Sequence, residues 1–138
     1  MSKSPNRMVG VIFGVVYLVI GVFGFFITSG NGFAVTNGPL LIGLFEINSL
    51  HNLVNVVIGA ALLIAGLTST RVAKGINGLV GTVFLLLGIA GLFLANGTSP
   101  LNILALNSAD NVLHFASAVV LLAVGIGADK VAPEAKPS

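Results

Sequence analysis

Charge is what this 138-residue chain has least of, with six Lys or Arg and four Asp or Glu. Because 56% of its residues are hydrophobic and the mean hydropathy is +1.08, a water-soluble domain built from it would lack the polar surface to cover its own core. The surroundings are therefore a lipid bilayer. Cysteine is absent, which excludes disulfides and thiolate metal ligands while leaving the redox compartment open. A pI of 9.4 raises the question of nucleic acid, but the cations are scattered over three short segments and form no patch, so nucleic-acid binding is excluded. The chain also has no HExxH, no CxxC, no P-loop and no Ser–His–Asp set, and its glycines sit inside apolar helices rather than in a phosphate-binding loop. No enzyme class is supported.

What is present is apolar runs long enough for spans of the about 20 residues that a hydrocarbon core of about 30 Å requires. The first seven residues, MSKSPNR, are polar with two cations, and an apolar run follows from Met8 to about Thr28. That run exceeds the apolar part of a signal peptide and shows no small-x-small cleavage site, so it reads as a retained first span. Span two runs from about Ser49 to Leu67, and the turn TSTRVAKG then carries Arg71 and Lys74. Span three runs from about Gly75 to Ala95, and span four follows Asn107. Between spans one and two, glycines and Pro39 argue against continuing helix. The apolar segment Pro39 to Asn48 is too short to cross, and is expected to lie extended at the interface, paired with the matching Pro100 to Asn107.

The chain repeats itself. Ile47 to Gly66, INSLHNLVNVVIGAALLIAG, corresponds without a gap to Leu106 to Gly125, LNSADNVLHFASAVVLLAVG, at an offset of 59. Upstream, Arg7, Gly14, Tyr17, Gly21, Gly24 and Phe26 correspond at an offset of 67 to Lys74, Gly81, Phe84, Gly88, Gly91 and Phe93. The difference falls in the loop between spans one and two, where length changes are cheapest. Each half has two spans and so enters the membrane from the same side, which predicts parallel repeats about a pseudo-twofold axis along the membrane normal. All six cations then fall on one side, the cytoplasmic one. The predicted fold is all-α: a four-transmembrane-helix bundle made of two parallel-repeat helical hairpins, with cytoplasmic termini and short extended segments at the outer face. It is one domain, with a first repeat of about residues 7–67, a second of about 74–127, and a flexible tail over 128–138.

Functional candidates gather at the starts of spans two and four. Asn48 and Asn107 are placed to cap their helices, and Asn107-x-x-Asp110 approximates a capping box, which is the weightier role for Asp110. Further in, Asn52, Asn55, Gly59, Leu62 and Gly66 share one helical seam, as do Asn111, His114, Ala118, Leu121 and Gly125. Small residues mark these as packed seams facing the bundle interior, with His51 and Asp110 one position earlier. Likewise Gly14, Tyr17, Gly21 and Gly24 line one face of span one, where leucine in place of Gly21, or of Gly88 in span three, is expected to disrupt packing more than Leu18→Ala. The cluster His51, Asn52, Asn55, Asp110, Asn111 and His114 has two readings. Interhelical hydrogen bonding is the more common one, with His114 bonded to an Asn or to Asp110. A ligand, cofactor or proton role is the other, because intramembrane ionisable groups are costly. A zinc site wants three or four His, Cys or carboxylate ligands, for which His51, His114, Asp110 and Glu46 are the residues available, a weak signal without HExxH or CxxC, and a bis-His haem at His51 and His114 would have a staggered axial pair.

The patterns YLxxGxxGFF at Tyr17 to Phe26, FEINSLHN at Phe45 to Asn52 and LNSADNVLH at Leu106 to His114 resemble those of a family of small bacterial four-span membrane proteins described only as a domain of unknown function. The resemblance covers nearly all of the chain outside the tail. It implies four spans in a bacterial inner membrane and no activity. Members often carry a second His where this chain has Asn55, which weakens any ligand set that needs this position. The leading expectation is a non-enzymatic accessory or scaffold element of a membrane assembly, or a homo-oligomer, without a cofactor. The alternative is a cofactor-, metal- or proton-handling protein, with haem or a metal at His51 and His114.

Overall fold

The computed structural model describes residues 4–95 and 99–130. Four helices carry the architecture: α1 (Pro5–Thr28), α2 (Ser49–Thr68), α3 (Thr70–Leu94) and α4 (Ser108–Gly127). Each is long and apolar enough to cross a membrane, so this is a four-span membrane protein. The helices pair as two hairpins, α1 with α2 and α3 with α4, and the contact between hairpins is sparser.

Every helix start is capped by a side chain, α2 and α4 by the expected Asn48 and Asn107. Ser4 Oγ accepts from Arg7 N ahead of Pro5, whose fixed φ suits the first helical position. Asn48 Oδ1 accepts from His51 N at 2.7 Å, and Asn107 Oδ1 from Asp110 N at 2.9 Å. The Asp110 carboxylate reaches back to Asn107 N at 3.0 Å, completing the capping box. The turn expected over TSTRVAKG shrinks to one residue. Ser69 is extended, with φ −163° and ψ 162°, so it ends α2 through its backbone N–H and caps α3 through its hydroxyl. Arg71 and Lys74 thus lie within the first turns of α3.

The glycine seams are where the paired helices touch. Gly14, Tyr17, Gly21 and Gly24 are all buried, as are the ten seam residues of α2 and α4. At the closest approach within the first hairpin, a Cβ on Gly59 would press on the Leu18 backbone of α1, and one on Gly14 on the Leu63 backbone of α2. Helices in lipid gain by such packing, not by exclusion of water. At the centre of the bundle Tyr17 and Phe84, which occupy corresponding positions, tilt against each other at 4.7 Å, enclosed by Leu62, Leu121, Ile58, Val80 and Ala118.

The extended segments differ from expectation. Pro39 to Asn48 does fold extended, but it pairs with itself: β1 (Leu40–Leu41) runs antiparallel to β2 (Phe45–Glu46). Ile42 and Gly43 both have positive φ, and Leu44 N donates to Leu41 O, the geometry of a type I′ turn that favours a hairpin over a longer-range partner. Residues 100–107 form turns instead of a strand, because Asn102 exchanges hydrogen bonds with the Leu106 backbone in both directions. The two loops are joined by side chains. Asn48 Nδ2 donates to Ile103 O, and Asn107 Nδ2 donates to Leu44 O at 2.9 Å. Donors and acceptors correspond at the offset of 59, so this is one clasp made twice.

Candidate functional site

The six candidate residues are all buried. His51 and His114, 3% and 1% exposed, lie with ring centroids 5.8 Å apart. His51 stands four positions closer to its cap than His114 does, a stagger of about 6 Å at 1.5 Å per residue. That offset is close to the ring separation, so the two imidazoles meet despite it. Phe84 of α3 stacks on His114 at 5.4 Å with planes 20° apart. The His51 ring lies beside the backbone of Leu104 and Glu46, where the two outer loops converge.

The asparagines behave as packing elements. Asn52 Nδ2 donates to Thr28 Oγ1 at 3.0 Å, and Thr28 pairs with Ser49 Oγ, which ties the end of α1 to the start of α2. The Oδ1 atoms of Asn52 and Asn111 occupy the space that a Cβ on Gly24 or Gly91 would fill. Neither oxygen has a conventional donor. The placement against glycine Cα suits weak Cα–H···O contacts of the kind found between closely packed helices. Asp110 does not join His114 as the i, i+4 spacing allowed: its carboxylate turns to the Asn107 backbone, where the orphan N–H groups of the helix start are. Interhelical bonding to an Asn or to Asp110 therefore does not account for His114. Its Nδ1, like that of His51, has no hydrogen-bond partner.

A second polar cluster, at the opposite ends of the helices, escaped the sequence reading. Asn77 Nδ2 donates to both O and Oδ1 of Asn6, and Asn6 Nδ2 donates to Val124 O. The Asp129 carboxylate, one residue beyond the α4 cap and at positive φ, accepts from Ser4 Oγ, Asn6 N and Asn6 Nδ2, each at 2.9 Å. The Asn6 backbone hydrogen bond, with the side-chain bonds of Asn6 and Ser4 and the nearby Lys74, holds this carboxyl below the usual range. Ala128 and Asp129 are thus anchored, while residues 131–138 of the tail expected to be flexible lie outside the described residues. Two basic side chains used above only for orientation cap helix ends: Arg7 donates to Gly66 O and Leu67 O, and Lys74 to Ile126 O and Ala128 O. Of the other cations, Lys3 and Lys136 lie outside the described residues. In mid-bundle the Tyr17 hydroxyl and Ser117 Oγ are 2.6 Å apart. A lone Asn amid an apolar span was the available signal for Asn77; Ser117 carried none.

Cavities of about 240 and 410 Å³ flank the β1–β2 hairpin, the first lined by Val19, Phe23 and Leu41, the second by Phe45, Val112 and Leu113. Both are apolar, and neither is lined by a candidate residue. Among the described residues, no three His, Asp or Glu side chains gather as a metal-ligand set.

No curated protein and no solved structure matches the chain. The model of one family, described as "Domain of unknown function (DUF4383)", matches residues 7–127, which cover α1 from its third residue, the whole of α2, α3 and α4, and the six candidate residues. The chain belongs to that family.

Proposed function

We propose that this protein is a non-enzymatic packing element of the bacterial inner membrane, acting as an accessory part of a larger assembly or as a homo-oligomer. Its two hairpins run parallel about an axis along the membrane normal, with both termini in the cytoplasm. One observation carries the reading: polar side chains at the helix ends and in the bundle are spent on joining segments distant in the chain. The Asn48 and Asn107 clasp, the Asn52–Thr28 bond and the Asn6–Asn77 pair all link separate segments. The remaining helix faces present large apolar side chains such as Phe23, Phe26, Leu86 and Phe93, available to lipid or to other membrane helices. The reciprocal clasp supports the parallel arrangement, since it joins corresponding atoms in both directions.

Chemical cross-linking in native membranes followed by native mass spectrometry tests the role. A discrete homo-oligomer or a stoichiometric membrane partner is expected, and a lone monomer at native abundance overturns the proposal. Because the chain has no cysteine, orientation is testable on a clean background. Asn37→Cys should react with an impermeant maleimide in spheroplasts, whereas Thr68→Cys should react only after permeabilisation; the reverse pattern inverts the topology.

A further inference from the structure

The imidazoles of His51 and His114 are buried polar groups that the packing role does not use. An imidazole buried in a bundle is ordinarily satisfied at both nitrogens or turned toward water, because a buried unpaired polar atom costs more than its bond would contribute. Here both Nδ1 atoms lack a partner, on residues 3% and 1% exposed. A buried imidazole nitrogen with no donor or acceptor facing it is one whose lone pair a metal ion can take.

The separation of the rings decides what they can share. A direct N–H···N bond of about 3 Å, with each ring centroid about 1.1 Å behind its nitrogen, puts the centroids at most about 5.2 Å apart. The observed 5.8 Å is wider. An ion bound to both nitrogens at about 2 Å each allows centroids up to about 6.2 Å apart, which accommodates the observed value. We propose that His51 and His114 form a two-nitrogen site for a closed-shell monovalent soft cation, Cu(I), bound through the two Nδ1 atoms.

The surroundings select that ion class. No third His, Asp or Glu joins the pair among the described residues, and Asp110 is committed to its cap. Zinc wants four ligands in a tetrahedron and divalent copper a tetragonal set, whereas Cu(I) is content with two opposed nitrogens. A haem is disfavoured at the same place, because Phe84 against His114 and the loop backbone against His51 occupy the flanks that a porphyrin would fill. The proposal is independent of the packing role and involves binding alone, with no electron transferred.

The test uses the full-length protein in detergent and Cu(I) presented as its bicinchoninate complex under anaerobic conditions. Wild type should withdraw one equivalent per chain, and His51→Gln and His114→Gln should each weaken uptake by about 100-fold or more while eluting as wild type. Ag(I) should compete, and Zn(II) at the same concentration should not. X-ray absorption of the loaded wild type, which needs no variant to fold, should give a two-coordinate nitrogen shell. Absence of uptake, uptake that persists in either variant, effective competition by Zn(II), or sulfur from Met1 or Met8 in the metal shell would each overturn the site.

Discussion

At Gly24 and Gly91 a single hydrogen in place of a methyl group decides whether an asparagine fits. A Cβ at Gly91 would land on Asn111 Oδ1 and one at Gly24 on Asn52 Oδ1, and both oxygens belong to buried side chains. Gly91→Ala should therefore destabilise the protein by about 1–3 kcal/mol. Adding Asn111→Ala should recover part of that loss, a coupling readable in a double-mutant cycle of thermal stability in detergent. The two leucine substitutions expected to disrupt packing separate on the same ground. A Cβ on Gly21 would meet the Asn52 and Val56 backbone, which cannot yield, whereas the atoms nearest a Cβ on Gly88 belong to the Phe115 ring, which can turn. Gly21→Leu should be the worse of the two. Asp129 adds a pH dependence with a definite sign. Because its folded carboxyl is held below its ordinary value, its stabilisation is complete above the unfolded aspartate value of about 3.9 and is lost as pH falls through the folded one. Stability should decline on acidification through that window, and Asp129→Asn should flatten the decline.

Among the elements, the caps of α2 and α4 are the points where one side chain acts twice. Asn48 receives the His51 N–H, donates to Val35 O and Ile103 O, and is fully buried. Asn107 makes the corresponding cap and cross-loop bond, but its donor lies at an exposed rim. Loss of an N-cap costs about 1 kcal/mol, and removal of partners from buried groups about 1–3 kcal/mol more. Asn48→Ala should accordingly lower stability by about 2–4 kcal/mol and Asn107→Ala by nearer 1 kcal/mol, measured by chemical denaturation in detergent. An equal loss for both would mean that the clasp to Ile103 contributes nothing. The caps were legible because Asn followed by three residues and an apolar run is a local signal. The partners of the caps were not: Ile103 O and Leu44 O are backbone atoms in irregular loops, and no residue type announces which carbonyl a distant side chain will reach. The same reason accounts for the self-paired hairpin. Its register depends on Ile42 entering the positive-φ region, which a β-branched residue seldom does, so the Gly43 beside it was the sole local sign of a tight turn.

For the whole molecule, periodicity and the repeat carried the reading far, since spans, seams and the burial of the six candidates all follow from where small and polar residues recur in apolar helices. What the repeat obscured was its own breakage. Asn6 corresponds to Ala73, Asn77 to Gly10, Tyr17 to Phe84 and Ser117 to Ile58, so the Asn6–Asn77 and Tyr17–Ser117 contacts between hairpins join positions that have diverged. Aligning the halves hides such pairs, because each partner matches a residue without its chemistry. The divergence has an assembly consequence. Two copies of the first hairpin packed in the same way would set Tyr17 against Tyr17, each hydroxyl facing an Ile58 without a partner, and would leave Asn6 opposite Gly10. In lipid an unsatisfied polar group is costly, so the two hairpins should prefer each other to themselves. Chains cut at Ser69 and co-expressed with different tags should purify as a one-to-one complex of unlike halves. Tyr17→Phe together with Asn77→Ala should shift that preference toward like pairing, and equal recovery of like and unlike pairs by the unaltered halves would mean that the diverged contacts do not govern assembly.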